Sequence, residues 1–269
     1  MKREKICSLL KKGYDVVVLE ETDSTNEEIK RRVRAGIHHD IVVVSDSQNA
    51  GKGRNGRCFF SPKGTGIYLS VLFDVRNERV VDSVMLTTQA AVAVAHAVSQ
   101  VCHRETQIKW VNDVYLEDKK ICGILAEAVT DVNSGRISHV IVGIGINVYE
   151  PDRLPDDLSG VFGCIFSADE RIPGLRDRLA ATVVNELTDY YEAMPDRHFL
   201  VEYRNRSNVI GRSIMYGAPG ADTFPGEDWK SGTAVDIDDD GGLVVERPDG
   251  TVVVLRTGEI SIRLNGTPA

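Results

Sequence analysis

The stretch "VDSVMLTTQAAVAVAHAVSQVC", residues 81 to 102, is Ala-rich and apolar nearly all round a helix. A helix without a polar face has to be buried centrally, which predicts a layered fold with this element packed on a sheet. Short apolar runs supply the strands: "DVVVLE" (15–20), "DIVVVSD" (40–46), "GIYLSVLFDV" (66–75) and "RISHVIVGIGINVY" (136–149). "QIKWVNDVYLEDKKICGILAEAV" reads as a strand, a break and a hairpin turning at Glu117 to Lys119. Helical spacing returns in "DSTNEEIKRRVRAG", with apolar Ile29 and Val33. Ser24 or Thr25 is the expected N-cap, each with a Glu three residues on, and Gly36 the expected stop. A late amphipathic helix follows, with Leu175, Leu179, Val183 and Leu187 on one face.

From about residue 209 the texture changes to five short β-like runs separated by Gly, Pro and Asp turns, which predicts a small barrel. The expected division is therefore 1–208 and 209–269. With 42% hydrophobic residues in 269, the chain can bury a sizeable core. Its 40 acids against 32 bases, a net charge of -8, argue against bulk attraction to nucleic acid or an anionic membrane. Five scattered cysteines with no C-x-x-C pair predict reduced thiols rather than a disulfide framework or zinc site. The N-terminus has too short an apolar run for a signal segment, and no 18-residue apolar span is read anywhere, so a cytoplasmic protein is expected.

Against that acidic background a basic loop stands out. "NAGKGRNGR" (49–57) places Gly51, Gly53 and Gly56 at the G-x-G-x-x-G spacing, with Lys52, Arg54 and Arg57 between them. A dinucleotide-binding turn needs a helix to begin inside the motif, so that its N-terminus holds the pyrophosphate. Here Pro62, Gly64 and Gly66 intervene, and a strand follows. A P-loop needs Lys-Ser/Thr where this chain has Arg57-Cys58. What remains is a strand-to-strand glycine loop that closes over an anion with main-chain N–H groups and cations, or a flexible surface turn.

Four other segments bear on that choice: "DSTN" (23–26), "KWVND" (109–113), "KKICGILAE" (119–127) and "GIGIN" (143–147). Each has a structural explanation of its own: a helix cap, a turn, an exposed hairpin lysine, close-packing strand glycines. Together, in this order, they resemble the biotin protein ligases, which carry an S-T-N helix start, a Q-x-A-G-R-G-R-x-G-R loop, a K-W-P-N-D segment, a K-(L/I)-x-G-(I/V)-L hairpin strand and a G-(I/V)-G-I-N strand. The matching segments here are "STN", "QNAGKGRNGR", "KWVNDVYL", "KICGILAE" and "GIGIN", and the resemblance runs from about residue 16 to "GEISIR". It implies an α+β fold: a catalytic domain like the class II aminoacyl-tRNA synthetases, a mixed sheet with helices, followed by a small SH3-like barrel. About 15 residues precede the first strand, too few for the DNA-binding domain of some relatives, so the expectation is the monofunctional form with no DNA or membrane partner.

The implied reaction has two steps. ATP converts biotin to biotinyl-5'-AMP, and a lysine of a biotin carboxyl carrier protein, or carrier domain of a biotin-dependent carboxylase, then takes the biotinyl group. By resemblance, Lys120 and Arg54 are the catalytic cations, set between the biotin carboxylate and the α-phosphate. Ser24, Thr25, Asn26, Gln48, Gly51, Lys52, Gly53, Arg54, Lys120, Gly123, Gly143 and Gly145 form the biotin site. The uncharged ureido ring suits the hydroxyls and amides among them. Arg54, Arg57, Asn112, Asp113, Lys120 and Asn147 fall where the family handles ATP, with Asp113 on the Mg²⁺ side. Trp110 is expected in the core. A homodimer through a sheet edge, as in some relatives, is left open.

This chain departs from the family pattern at several positions. Lys52 replaces an Arg, Cys58-Phe59 stands near a usual Trp, Val111 replaces the Pro of K-W-P-N-D, and Tyr149 follows "GIGINV". These bear on the adenine contacts more than on the reaction. The rival readings are a lipoate or octanoate ligase of the same fold, whose glycine loop is built differently, and a non-catalytic nucleic-acid-binding module, which should show a broad basic face.

Overall fold

The computed structural model describes all residues except 77–82, 132–133, 195, 218–228, 257–260 and 265–269. A seven-stranded sheet carries the first part of the chain. Its strands are β1 (Asp15–Leu19), β2 (Ile41–Ser45), β3 (Gly66–Asp74), β4 (Gln107–Lys109), β5 (Asp113–Leu116), β6 (Lys119–Thr130) and β7 (Ile137–Asn147). They lie in the order β1-β2-β3-β7-β6-β5-β4, with only the β1/β2 pair parallel. The return of β7 between β3 and β6 follows from an antiparallel meander, β4 to β7, that docks its last strand on the existing sheet.

The two faces of the sheet are covered unequally. One carries α3 (Ser83–Cys102) and α4 (Leu175–Glu192), which pack on each other and on the strands. Val84 to Val98 of α3 are buried almost without interruption, as an all-apolar helix requires. By length and composition Val84–Cys102 is apolar enough to cross a membrane, which corrects the expectation that no such span exists; 78% of that window is buried inside the fold. Leu175, Leu179, Val183 and Leu187 of α4 are all at most 1% exposed. The short α1 (Arg3–Cys7) packs on α4 and β1.

The other face carries α2 (Thr25–Arg34). There Ile29 and Val33 meet Ile41, Val43, Leu72 and Ile141 in a smaller core. Strand alternation explains the split along β3: Ile67, Leu69, Val71 and Phe73 point to the large core, while Tyr68, Ser70 and Leu72 point to the α2 side. The expected hairpin forms between β5 and β6, where Glu117 (φ 49°) and Asp118 (φ 61°) are both left-handed, as a two-residue type I′ turn requires.

A second sheet carries the C-terminal part: β8 (Ser213–Gly217), β9 (Lys230–Ile237), β10 (Leu243–Glu246), β11 (Val252–Leu255) and β12 (Ser261–Leu264). It is antiparallel throughout, in the order β11-β10-β9-β8-β12. The helix α5 (Phe199–Asn205), which the periodicity did not reveal, bridges the two sheets. Arg204 Nε donates to Ile237 O at 2.7 Å, and Trp110, 5% exposed in the core as expected, donates its indole N–H to Gly241 O at 2.8 Å.

Candidate functional site

On the α2 side of the sheet, register places Tyr68, Gly145, Gly123 and Asp113 in one row across β3, β7, β6 and β5. The adjoining row is Ser70, Gly143 and Leu125. Glycines facing each other on neighbouring strands leave a depression in the sheet, with the N-terminus of α2 on one side and the 49–57 loop above. A Cβ on Gly143 would stand 2.3 Å from Asn26 Oδ1, and one on Gly145 2.4 Å from the Phe59 ring. The room that these glycines leave is therefore shared with two of the chain's own side chains.

The loop is a hairpin joining β2 to β3, not a helix start. Gly53 N donates to Arg57 O at 2.7 Å and Phe59 N to Gly51 O at 2.9 Å, around a bridge between Lys52 and Cys58. The Gly53 N–H is thus used inside the loop. Gly51 lines neither cavity described below, and a Cβ there would lie 2.5 Å from Phe59 O and 2.9 Å from Gln48 Nε2. Its place is in the loop's own packing. One 3-10 turn, Arg54–Gly56, has Asn55 and Gly56 left-handed and turns the tip back.

Two adjoining cavities hold nearly all the expected residues. The larger, about 310 Å³, is lined by Lys52, Gly53, Arg54, Arg57, Asn112, Asp113, Lys120, Gly123 and Asn147. The smaller, about 30 Å³, is lined by Ser24, Thr25, Asn26, Gln48, Lys52, Gly123, Gly143 and Gly145. Phe59 lines both and stands between them. Arg54, Arg57 and Lys120 thereby fall in the larger compartment and Ser24, Thr25, Asn26 and Gln48 in the smaller, with Lys52 shared between them.

In the larger cavity Lys120 Nζ pairs with Asp113 Oδ1 at 2.7 Å. The main chain of Lys120 is clamped: its N–H donates to Val161 O and its carbonyl accepts from Gly163 N, both at 2.9 Å. Asn147 Nδ2 donates to Gly163 O at 2.9 Å, so it holds this clamp together as well as lining the cavity. Arg54 Nη1 donates to Asn112 Oδ1 at 3.2 Å, while Asn112 Nδ2 donates to Ile124 O. Burial lowers the Arg54 pKa from the usual arginine value, partly offset by Asp113, and the guanidinium remains a cation at neutral pH. Burial pushes the Tyr203 phenol far above its ordinary range and the Cys122 thiol likewise, which leaves both neutral.

In the smaller cavity the expected capping box does not form. Ser24 is the N-cap of α2 but makes no side-chain cap bond; Glu27 is taken by Lys30 and Lys52, and Glu28 by Arg31 and Arg32. The cap comes from a distant segment: Gln48 Oε1 accepts from Thr25 N at 2.9 Å, and Gln48 Nε2 donates to Ser61 Oγ at 2.9 Å. Because one side chain ends the helix and lines the cavity, Gln48→Ala should lower stability by about 1 kcal/mol and weaken ligand binding together. Calorimetric unfolding and ligand titration check both effects. Asn26 Nδ2 donates to Glu127 Oε2 at 2.7 Å, and Ser70 Oγ lies 2.6 Å from Asn26 Oδ1.

Several lining residues have no counterpart in the motif reading. Phe60, Leu158, Val161 and Phe162 form the apolar wall of the larger cavity, with the Phe60 and Phe162 rings edge to face at 6.3 Å. The spacing of Leu158, Val161 and Phe162 was the available signal, within a segment that reads as a proline turn.

Comparison with known proteins agrees with this geometry. Residues 18–147 match the biotin/lipoate A/B protein ligase family and residues 223–263 the biotin protein ligase C-terminal domain. The biotin--[acetyl-CoA-carboxylase] ligase of Mycobacterium tuberculosis is 31% identical over 255 residues, covering 91% of this chain and 88% of that one. The bifunctional ligase/repressor BirA of Escherichia coli is 28% identical over 254 residues, covering 93% and 75%. Among solved structures, the Aquifex aeolicus biotin protein ligase in complex with biotin and ATP superposes with a TM-score of 0.75 at 23% identity, covering 93% of this chain and 99% of that one. With a mixed sheet, a separate C-terminal antiparallel sheet and relatives at this identity along most of its length, the chain belongs to the biotin protein ligases.

Proposed function

We propose that the protein activates biotin with ATP and transfers it to a lysine of a carrier domain in a biotin-dependent carboxylase. The observation that carries this reading is the pairing of compartments: a pocket under the N-terminus of α2 lined by neutral hydroxyls and amides, which shares Lys52 with an adjoining cavity that holds Lys120, Arg54 and Arg57. The ureido ring exchanges hydrogen bonds with neutral partners, which the smaller cavity offers in Ser24, Thr25 and Gln48. The valeryl carboxylate then reaches past Gly123 toward Lys120.

In the first step a carboxylate oxygen attacks the α-phosphorus, an O–P bond forms, and pyrophosphate leaves. Two anions have to meet, so the barrier is dominated by charge. Lys120 and Arg54 neutralise the carboxylate and the phosphoryl oxygens, and Arg57, on the exposed side of the loop, meets the outer phosphates. The main-chain clamp on Lys120 fixes where its ammonium group can reach. Phe60, Leu158, Val161 and Phe162 offer the apolar surface that suits the adenine ring.

Asp113 is the carboxylate that would hold a Mg²⁺ ion brought in with the nucleotide. No cluster of three His, Cys, Asp or Glu occurs among the described residues, so no all-protein cage is available. When bound it would neutralise phosphate charge. In the second step the neutral amine of the acceptor lysine attacks the acyl carbon, the C–O bond to AMP breaks, and the amine's proton passes to solvent.

The test is to incubate the protein with labelled biotin, ATP and a biotin carboxyl carrier domain. Label that survives denaturation, needs ATP and disappears when the acceptor lysine is replaced by arginine is expected. Absence of label, or label independent of ATP, contradicts the reading.

A further inference from the structure

We infer that Glu27 is a positioning residue: through Lys52 it latches the glycine loop closed and ties it to the floor of the ligand pocket. This inference rests on the ligase reading for its consequence, but not for its structure. Lys52 Nζ lies 2.6 Å from Glu27 Oε1, and the same oxygen lies 2.8 Å from Lys30 Nζ. Lys30 Nζ lies 2.7 Å from Glu127 Oε1, and Glu127 Oε2 accepts from Asn26 Nδ2 at 2.7 Å. Asn26 in turn meets Ser70 under the pocket. Charges thus alternate from the lid to the floor: Lys52, Glu27, Lys30, Glu127, ending on a neutral amide.

Three features make this more than a surface ion pair. First, the Glu27 and Glu127 side chains are only 21% and 25% exposed, so the carboxylates are shielded better than in an ordinary surface pair, while Lys52 at the loop end is 46% exposed. Second, the loop tip has few other holds. Its hairpin bonds are internal, and among the described residues the side-chain bonds from residues 52–58 to other elements are Lys52 to Glu27 and Arg54 to Asn112. Arg54 lies in the cationic cavity, where a bound nucleotide competes for it. The Lys52 bond runs the other way, to α2. Third, the two lysines hold the Glu27 carboxyl down to about 2, Lys30 first and Lys52 second, so the latch stays charged at every pH where the protein would work.

The consequence is kinetic. A mixed anhydride is lost if it leaves before an acceptor lysine arrives, and a lid tied to the pocket floor slows that loss without touching the reacting atoms. Glu27→Gln and Lys52→Gln each remove the latch from one end, whereas Lys52→Arg keeps it.

The experiment has two arms on the full chain. In the free protein, amide hydrogen exchange of residues 50–60 should accelerate about fivefold in Glu27→Gln and in Lys52→Gln. The double variant should be no faster than either, and Lys52→Arg should match the parent. In the second arm, biotinyl-AMP formed on the protein should leave Glu27→Gln faster by a similar factor. Unchanged exchange in either single variant, additive effects in the double, or unchanged release from Glu27→Gln overturns the latch. If the parent forms no biotinyl-AMP, the proposed function fails, while the exchange arm still decides whether the loop is latched.

Discussion

Replacing Lys120 by alanine is expected to lower biotin-dependent adenylate formation by about 10²- to 10³-fold, the usual cost of removing one preorganised group that meets charge in the transition state. The fold should hardly notice. Lys120 contributes to structure through its main chain, whose bonds to Val161 and Gly163 survive truncation. The side chain makes an ion pair with the buried Oδ1 of Asp113, and truncation opens that oxygen to the adjoining cavity, where water can replace the ammonium group. The thermal midpoint should therefore stay within a degree or two, as expected for ion pairs worth about 1 kcal/mol or less. Rapid-quench measurement of biotinyl-AMP and calorimetry on the same variant separate the two effects. A collapsed midpoint would make Lys120 a structural residue; retained adenylation would remove it from the chemistry.

A second large effect is expected from Gly143→Ala. The added Cβ would meet Asn26 Oδ1 at 2.3 Å, and Asn26 cannot easily move, because Glu127 holds its amide nitrogen and Ser70 its oxygen. Overpacking of this kind costs about 1–3 kcal/mol, and it pushes Asn26 and its neighbours into the smaller cavity. Both the thermal midpoint and biotin affinity should fall, the affinity by at least about tenfold. Gly145→Ala makes the informative comparison. Its Cβ would meet the Phe59 ring at 2.4 Å, but Phe59 belongs to the loop and can swing away. Gly145→Ala should lose less stability than Gly143→Ala, and equal losses would show that the loop ring is as fixed as the pocket floor.

The two glycines also show what the sequence made legible. Strand-to-strand setting removed the dinucleotide reading of "NAGKGRNGR", because backbone propensities after residue 60 do not allow a helix, and Arg57-Cys58 in place of Lys-Ser/Thr removed the P-loop reading. The all-apolar helix, the hairpin at Glu117 to Lys119 and the leucine face of α4 were equally plain, since each is set by local periodicity or turn position. What could not be read was anything decided by partners far along the chain. Ser24 has the residue type of an N-cap, yet Gln48 supplies the cap from another strand end. Asn26 meets Glu127 across 101 positions, and the apolar wall of Leu158, Val161 and Phe162 is held at the site by long-range bonds of Val161 and Gly163 to Lys120 and of Gly163 to Asn147. Gly51 was legible as a required glycine, but its reason, the crossing of the Phe59 carbonyl, lies in the folded loop.

Biotin-dependent exchange of labelled pyrophosphate into ATP tests the central claim most directly, because it reports the reversible first step without needing the acceptor. The account predicts exchange with biotin and none with lipoate or octanoate. Exchange supported by lipoate or octanoate in place of biotin, or no exchange with any of the three, would contradict it.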